Sequence, residues 1–388
     1  MKRDYDAIVL GLGGIGSGAL YWLSRRLGGE VLGLEQYPLG HDNGGSQDHS
    51  RIIRYSYHHP VYVRLAERAY QAWAEVERDT GEPLVYRCGG LDLFPEGGTI
   101  EAADYVDSLD ACRIPFERLE AAEIRHRWPA WQLPDSVWGL FQVDGGLVAA
   151  AKANAAHLEA ARRAGAAIRD QTPVTGVQAG QGEVEVTAGD ITYRTRRLIV
   201  TGGAWSNEVL AHLGFHLPLT VTREQVAYYD APDLQPFARD RFPVWIWMDT
   251  PCFYGFPVFG EPAVKIAEDV GGYETTPVTR SFEPDTVALA RLRSWCETYL
   301  PTAVGPEPRV KTCLYTLTPD RDFIVDSVPE HPEVLVAIGA GHAFKFASAL
   351  GQILAELALD EATTADLSLF AFDRPILRLS DPPKTFYV

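Results

Sequence analysis

The chain has 388 residues and a formal net charge of −17, with 46% hydrophobic and 22% charged residues, a composition typical of globular proteins. The negative charge argues against nucleic acids and anionic membranes as partners, because both attract basic surfaces. No apolar run approaches the roughly 18 residues that span a bilayer, and no cleavable signal is recognisable, so a cytoplasmic protein is expected. The five scattered cysteines lack CxxC spacing, which predicts no metal site and no disulfide framework.

The first predicted elements form a βαβ unit. Residues 5–10 are a short apolar run typical of a buried parallel strand. A glycine-rich turn follows, and apolar residues then recur with helical spacing until Gly28-Gly29 ends the helix. Residues 31–35 form a second strand that ends in an acidic residue, Glu35. This arrangement is typical of nucleotide-binding folds.

The later elements alternate between two kinds of pattern. Helices are predicted at about 61–77, 148–164, 284–299 and 339–359, and buried strands at 198–201 and 334–338. Strands of a different sheet are predicted at 83–94 and 137–143, a hairpin at 183–193, and a mostly antiparallel sheet across 218–275. The sequence therefore predicts an α/β fold, in which a Rossmann-like domain is interleaved with a second α+β domain built on a mostly antiparallel sheet.

The glycine turn carries the first chemical signal. Gly11, Gly13 and Gly16 follow the GxGxxG pattern, in which the glycines allow a tight turn, close approach of a pyrophosphate and helix–strand packing. The helix N-terminus then faces the phosphates. Glu35 lies 19 residues past Gly16, where a carboxylate accepts ribose hydroxyls, which favours FAD or NAD over NADP.

Short motifs spread along the chain are more specific than this turn. They are Asn43-Gly44, Ser50-Arg-Ile-Ile-Arg54, Arg127-Trp128-Pro129, Gly203-Ala-Trp205, Tyr254-Gly-Phe-Pro257, Lys265, Cys313-Leu-Tyr315, Phe323-Ile-Val-Asp326 and Gly341-His-Ala-Phe-Lys-Phe346. In this order they resemble the monomeric sarcosine oxidase and N-methyltryptophan oxidase family, within the D-amino-acid-oxidase-like group. The resemblance implies an FAD-binding domain formed by 1–80, 148–217 and 313–388. It implies a substrate domain formed by 81–147 and 218–312.

The resemblance also implies how FAD is held. In the family a cysteine followed two places later by a tyrosine carries the flavin covalently, and here these residues are Cys313 and Tyr315. A lone cysteine without this context is more often a small buried hydrophobe. The implied cofactor-binding residues are Gly11, Gly13, Gly14, Ile15, Gly16, Glu35, Gln36, Ser50, Arg51, Val174, Gly203, Trp205, Cys313, Gly339, Gly341, His342 and Lys345.

Several residues are implied to bind the substrate. A spacing of three would put Arg51 and Arg54 on one side of a helix or turn. By resemblance, Arg51 lies against the flavin, while Arg54 and Lys345 bind the substrate carboxylate. A guanidinium such as that of Arg54 suits this role because it can donate two parallel hydrogen bonds to a carboxylate. Tyr254 is expected either to form a wall of the substrate pocket or to pack in the core. Without the resemblance, surface positions would be the more common interpretation for both arginines.

Lys265 and Asp269 complete the predicted catalytic set. Lys265 lies in an apolar strand, where an ammonium is costly to bury, and the resemblance implies that it promotes the reaction of reduced flavin with oxygen. Asp269 stands where the family commonly has a histidine that contacts the substrate. A carboxylate there would favour a cationic amine, bind a hydroxyl group or act as a base, unless the loop is shifted and Asp269 faces solvent.

These residues together predict an FAD-dependent oxidase of a secondary amino acid that consumes O2. The alternatives are an oxidase of a cyclic imino acid such as proline or pipecolate, an oxidase of a sugar–amine adduct, and a dehydrogenase of the same fold with another electron acceptor. A noncatalytic nucleotide-binding module is a further alternative. The family's usual monomer is expected. The implied catalytic residues are Arg51, Arg54, Tyr254, Lys265, Asp269, Tyr315 and Lys345.

Overall fold

A computed structural model of the chain describes residues 2–180 and 182–385. Its α-helices are α1 Gly14–Leu27, α2 Pro60–Thr80, α3 Ala102–Cys112, α4 Ala121–Arg127, α5 Ala150–Arg163, α6 Ser206–Leu210, α7 Thr286–Tyr299 and α8 Ala347–Asp360. Among the described residues, no helix combines the length and apolar character needed to cross a membrane.

The strands fall into three sheets. They are β1 Asp4–Leu10, β2 Val31–Leu34, β3 Ser50–Ile53, β4 Val85–Arg87, β5 Gly90–Pro95, β6 Glu117–Glu120, β7 Val137–Gln142, β8 Gly146–Ala149, β9 Ala167–Arg169, β10 Val174–Gly180, β11 Glu183–Ala188, β12 Ile191–Val200, β13 Thr220–Tyr229, β14 Val244–Trp247, β15 Phe253–Phe256, β16 Val264–Glu268, β17 Tyr273–Glu274, β18 Arg309–Leu317, β19 Ile324–Val328 and β20 His331–Ile338. The predicted mixture of parallel and antiparallel sheets is confirmed.

The first sheet contains the predicted βαβ unit. Strand β1 lies parallel between β2 and β12, and β9 and β20 extend the parallel part on either side. The central parts of these strands, such as residues 7–10, 31–34 and 198–200, are apolar and buried, as is typical of parallel sheets. Helix α1 packs on this sheet and contacts α5 and α8. The sheet thus brings the carboxyl ends of β1, β2 and β12 to one edge, where ligands bind in such folds.

The second sheet is large and mostly antiparallel, in the order β17-β13-β16-β15-β14-β5-β7-β6, with β18 on the other edge of β13. Side chains on its strands alternate between two faces. Trp245 and Trp247 of β14 are buried on the face that packs against Trp295 of α7. Ile246, between them, faces a cavity on the opposite side. This sheet therefore forms one wall of that cavity.

The third sheet is a small antiparallel one, in the order β3-β8-β4. It corrects the expectation that Arg51 and Arg54 lie on a helix or turn. Arg51 is in the middle of β3 and Arg54 follows directly after the strand. Strand β3 pairs with β8, so its partner lies almost a hundred residues further along the chain. Local spacing alone does not reveal such a pairing.

The interleaved domain organisation stays a prediction. The two larger sheets draw their strands from alternating parts of the chain, as an interleaved arrangement requires. Strand β18, Arg309–Leu317, runs across the predicted boundary between 312 and 313 and pairs along its length with β13 of the second sheet. Cys313 therefore lies on a strand of the second sheet.

Candidate active site

A cavity extends from the glycine turn after β1 to the face of the second sheet. Most of the predicted site residues line it, namely Gly11, Gly13, Gly14, Ile15, Glu35, Gln36, Arg51, Arg54, Val174, Gly203, Trp205, Tyr254, Asp269, Tyr315, Gly339, Gly341, His342 and Lys345. Four others are outside the lining: Gly16, Ser50, Lys265 and Cys313. Cys313 is nevertheless next to Leu314, which does line the cavity.

The glycine turn is closely packed. Gly11 has φ +86°, and a Cβ there would lie 2.6 Å from the carbonyl oxygen of Thr201. A Cβ on Gly16 would lie only 1.8 Å from the carbonyl oxygen of Gly11. Helix α1 begins at Gly14, and its N-cap residue, Gly13, provides no side-chain cap. The turn therefore presents backbone and the positive end of a helix dipole to the cavity, which suits a pyrophosphate.

Glu35 lies at the carboxyl end of β2, 6% exposed. Its carboxylate accepts hydrogen bonds from the backbone N–H groups of Leu12, at 2.8 Å, and Tyr37, at 3.1 Å. Burial alone would raise the pKa of Glu35, but the contact with His41 and these backbone donors outweigh it and hold the pKa below its usual value. Glu35 is therefore a fixed anion, as binding of ribose hydroxyls requires.

Arg51 is held by backbone carbonyl groups. Its guanidinium donates to the oxygens of Ser50 at 2.9 Å, Gly45 at 3.0 Å and Gln47 at 2.6 Å. The same group lies 5.8 Å from the ring centre of Phe344, which also lines the cavity. Arg51 thus adds a fixed positive charge to the middle of the cavity wall.

Arg54 forms a buried ion pair. Its Nη1 lies 2.5 Å from Oδ1 of Asp92 on β5, and both side chains are less than a tenth exposed. The Nε of Arg54 is buried and has no hydrogen-bond partner among the described residues. One side of the guanidinium is therefore fixed by Asp92, and the other has donor capacity left for a ligand carboxylate.

Lys345 is the second cation at this end of the cavity. It lies in the 3-10 turn Ala343–Phe346 before α8, and its Nζ donates to the hydroxyl of Tyr57 at 2.7 Å and to the carbonyl of His342 at 3.2 Å. Burial, together with the nearby Arg54, lowers the pKa of Lys345 to about 7. A bound carboxylate would offset both effects and keep the ammonium charged.

Asp269 faces this part of the cavity rather than open solvent. Its backbone N–H donates to the carbonyl of Cys252 at 2.8 Å, which fixes the residue directly after β16. Its Oδ2 lies 3.3 Å from Nη2 of Arg321, which is 2% exposed and also lines the cavity. The pair offers both a hydrogen-bond donor and an acceptor to a substrate.

The residues after β20 close the site. Gly341 has φ +83°, and a Cβ there would lie 2.7 Å from the ring of Tyr315. The Nε2 of His342 is 2.9 Å from the carbonyl oxygen of Arg321. Burial, then the positive charges of Arg321 and Lys345, lower the pKa of His342 well below its usual value, so this imidazole is neutral.

Lys265 and Cys313 lie just outside the cavity lining. Lys265 is 3% exposed, and its Nζ lies 2.6 Å from Oδ2 of Asp48 and donates to the carbonyl of Ser50 at 2.9 Å. Burial raises the pKa of the Cys313 thiol to about 11, although Arg51 opposes the shift. Arg51 lines the cavity, and Lys265 and Cys313 lie behind that lining, close enough to Arg51 to interact with it electrostatically.

These features fit FAD. The glycine turn and Glu35 are at one end of a cavity whose other end contains several fixed cations, so a long dinucleotide could reach from the turn to the substrate residues. At Gly11 and Gly341, both with positive φ, a Cβ would clash with Thr201 and Tyr315, so the backbone on both sides of the cavity depends on glycine.

Comparison with known proteins agrees with this geometry. Residues 6–357 match the family model described as FAD dependent oxidoreductase. The chain is 36% identical to a monomeric sarcosine oxidase from Streptomyces avermitilis, covering 95% of this chain and 97% of that protein. It is 33% identical to an N-methyl-L-tryptophan oxidase from Yersinia pestis, covering 96% and 99%. The chain belongs to the FAD-dependent oxidoreductase family. Within that family it groups with the monomeric sarcosine oxidases and N-methyl-L-tryptophan oxidases.

A solved structure agrees with the fold of this FAD-dependent oxidoreductase. NikD, an unusual amino acid oxidase essential for nikkomycin biosynthesis, matches with a TM-score of 0.83 and 28% identity, covering 95% of this chain and 98% of that one. The α/β fold predicted from the sequence is thereby confirmed, and so is the family.

Several residues of this FAD-dependent oxidoreductase site were missed by sequence reasoning. They are Asp48, Tyr57, Asp92 and Arg321, each buried or partly buried and each hydrogen-bonded or ion-paired to a predicted site residue. Asp92 had a usable signal, because it is a carboxylate between Leu91 and Leu93 in an apolar strand, the same argument that identified Lys265. Tyr57 and Arg321 have no comparable local pattern.

Proposed function

We propose that the protein is an FAD-dependent oxidase of a secondary amino acid, sarcosine or another N-alkyl amino acid, and that it yields an imine or aldehyde, an amine and hydrogen peroxide. The observation that supports this most directly is the pair of cations formed by Arg54 and Lys345 in the same cavity as the dinucleotide-type turn. Two relatives that cover nearly the whole chain are named as oxidases of N-methyl amino acids.

The residues of the chain bind and orient the substrate. Arg54 and Lys345 bind the carboxylate, which fixes the position of the carbon next to the nitrogen. Tyr254 and Tyr315 line the adjoining cavity wall and exclude water from the reacting carbon. Bound FAD would supply the redox chemistry, a two-electron transfer from the substrate to oxygen. Lys265 contributes a fixed positive charge that favours electron transfer to oxygen.

We further propose that Cys313 holds the flavin covalently. Its position on β18, beside the cavity-lining Leu314 and Tyr315, and its proximity to Arg51 support this role. Purified protein should be yellow, and after denaturation and acid precipitation its flavin fluorescence should stay with the chain. Cys313→Ser should lose that retained fluorescence. Pigment that separates fully from the wild-type chain would contradict the attachment.

The nature of residue 269 supports a second candidate substrate class. Because Asp269 and Arg321 form a polar pair at the cavity wall, a substrate with a hydroxyl group or a second positive charge would gain hydrogen bonds there. A sugar–amine adduct, whose sugar carries hydroxyl groups, is therefore the alternative that this pair favours, and a cyclic imino acid is a further candidate. Peroxide formation with a panel of sarcosine, N-methyl amino acids, proline, pipecolate and fructosyl amino acids would separate the classes.

The choice of oxygen as electron acceptor rests on Lys265. With Lys265→Met, we expect flavin reduction by substrate to change little and reoxidation by oxygen to slow by one or more orders of magnitude, since the charge acts chiefly on the oxygen reaction. Stopped-flow measurement of the two half-reactions tests this. Equal effects on both would refute the role, and slow wild-type reoxidation would favour a dehydrogenase.

We also propose a cytoplasmic monomer. Its relatives include proteins named monomeric sarcosine oxidases. No disulfide joins any of the five cysteines, all of which the structure describes, which suits a reducing compartment. Light scattering of the purified protein would give the oligomeric state.

A further inference from the structure

Asp48 has an unusual backbone conformation. It is not glycine, yet its φ is +89°, in the left-handed region that strains most L-residues. Such conformations persist where surrounding contacts enforce them, and they concentrate at functional sites. The side chain of Asp48 is 10% exposed, so its carboxylate is placed in the interior by a strained backbone.

The contacts of Asp48 are all with polar or cationic groups. Its Oδ2 lies 2.6 Å from Nζ of Lys265. Its Oδ1 accepts a hydrogen bond from the hydroxyl of Tyr228 at 2.6 Å and one from Nζ of Lys311 at 3.2 Å. Tyr228 lies opposite Lys265 in the β13–β16 pair. Asp48 therefore joins the predicted oxygen-activating lysine to a second strand and to a more exposed lysine.

We propose that Asp48 is a positioning residue for the oxygen reaction: its carboxylate holds the Lys265 ammonium in place, keeps it protonated, and so sets the pH range in which the reduced enzyme reacts with oxygen. This inference rests on the proposed role of Lys265. In that reaction, oxygen takes two electrons and two protons from the reduced flavin and leaves as hydrogen peroxide. The lysine and Asp48 are not consumed.

Electrostatics supports the direction of this effect. Burial lowers the pKa of Lys265 to about 8, and Asp48 is the main opposing influence. The pKa of Asp48 is raised by burial but lowered further by Lys265 and Arg51, so it is held far below its usual value. Asp48 thus stays an anion throughout the accessible pH range. Without it, Lys265 would lose its proton at a lower pH.

Other ionisable groups face Lys265 and belong to the same network. They come from β3 and the residue before it, from β13, from β18 and from the loop before β16, and they are Arg51, Tyr228, Cys313, Lys311, His49 and Glu261. Lys311 contacts Asp48, and Glu261 and His49 join the network through Lys311. Substituting Lys311 therefore provides a matched control, since it removes a cation from Asp48 without touching Lys265.

The test measures reoxidation of the reduced holoenzyme by oxygen against pH. The wild-type rate should fall as pH rises through about 8, where Lys265 loses its proton. In Asp48→Asn the fall should occur at least about one pH unit lower, whereas in Lys311→Met it should stay near the wild-type value. The reduction potential of the bound flavin, measured against pH, should change slope at the same shifted pH.

Asp48→Gly separates charge from backbone strain. Glycine adopts φ +89° without strain, so this variant loses the carboxylate without the strained backbone and should show the same shifted pH profile as Asp48→Asn. An unshifted Asp48→Gly profile would overturn the inference, and so would coincident Asp48→Asn and wild-type profiles. If Lys265→Met reoxidises as fast as the wild type, the proposed role of Lys265 itself fails, which is a different result.

Discussion

The two ends of the cavity are built in different ways. At the nucleotide end, the glycine turn, α1 and Glu35 come from one continuous segment and act largely through backbone N–H groups and close packing. At the substrate end, the charged groups come from five separate segments and act through side-chain ion pairs and hydrogen bonds, namely Arg54, Asp92, Asp269, Arg321 and Lys345. A local pattern therefore defines the first end, and only the assembled sheets define the second.

The largest expected effect tests the packing of the nucleotide end. In Gly16→Ala, the added Cβ would lie 1.8 Å from the carbonyl oxygen of Gly11, so α1 would have to move away from β1. We expect the purified variant to contain almost no flavin, because the turn could no longer bind the pyrophosphate. The ratio of visible flavin absorbance to protein absorbance measures this directly.

Gly176→Ala is the matched control for that substitution. Gly176 is in β10, and the nearest atom to an added Cβ would be 3.6 Å away, so normal flavin content is expected. Circular dichroism should show both variants folded. A Gly16→Ala protein with full flavin content would mean that close packing at the turn is not what positions the cofactor.

The same contrast explains how much of the fold could be predicted. The βαβ unit, the hairpin at β11–β12 and helices α2, α5, α7 and α8 follow from local periodicity, which the printed sequence contains. Strand β3 was mistaken for a helix or turn because its four residues are stabilised by pairing with the distant β8. Long-range pairing of this kind leaves no local signal.

The site itself could be predicted only in part. Most of the residues that the motifs indicated line the cavity, for example Gly341 and Lys345, while their roles stay predictions. Their partners were not predicted: Arg321 is in a turn, with φ +62°, and its partner Asp269 lies on another segment. Ion pairs of this kind depend on which strands become neighbours, so a single sequence does not specify them.

The second prediction separates stability from binding at the substrate end. Arg54→Met should destabilise the protein by about 3–5 kcal/mol, because it leaves Asp92 buried without its partner. It should also raise the KM for the amino acid by roughly 10- to 100-fold, the value of a hydrogen bond to a charged group. Thermal unfolding and steady-state kinetics measure the two effects independently.

The double variant Arg54→Met/Asp92→Asn sharpens this result. Removing the unpaired charge should recover much of the stability, while the KM should stay high since the guanidinium is still missing. Recovery of both properties would mean that Arg54 serves the core and does not bind the substrate. At the nucleotide end, stability and cofactor binding cannot be separated in this way, because the same backbone segment both maintains the fold and binds the cofactor.

The smallest expected effect concerns Lys345 and pH. Burial and Arg54 lower the pKa of Lys345 to about 7, so the ligand-free site is cationic below pH 7 and loses this charge above it. A carboxylate without an amine, such as propionate, should therefore bind with a Kd that is constant below pH 7. Above pH 7 the Kd should rise about tenfold per pH unit, because binding must then take up a proton. Absorbance changes of the bound flavin report the Kd.

Lys345→Arg distinguishes this lysine from other ionisable groups. A guanidinium stays charged throughout this range, so its Kd for propionate should be nearly independent of pH. His342 does not contribute, because its pKa is held well below its usual value and it stays neutral. If the arginine variant kept the wild-type slope, another group would be responsible. A wild-type Kd that is flat from pH 6 to pH 9 would mean that Arg54 alone binds the carboxylate.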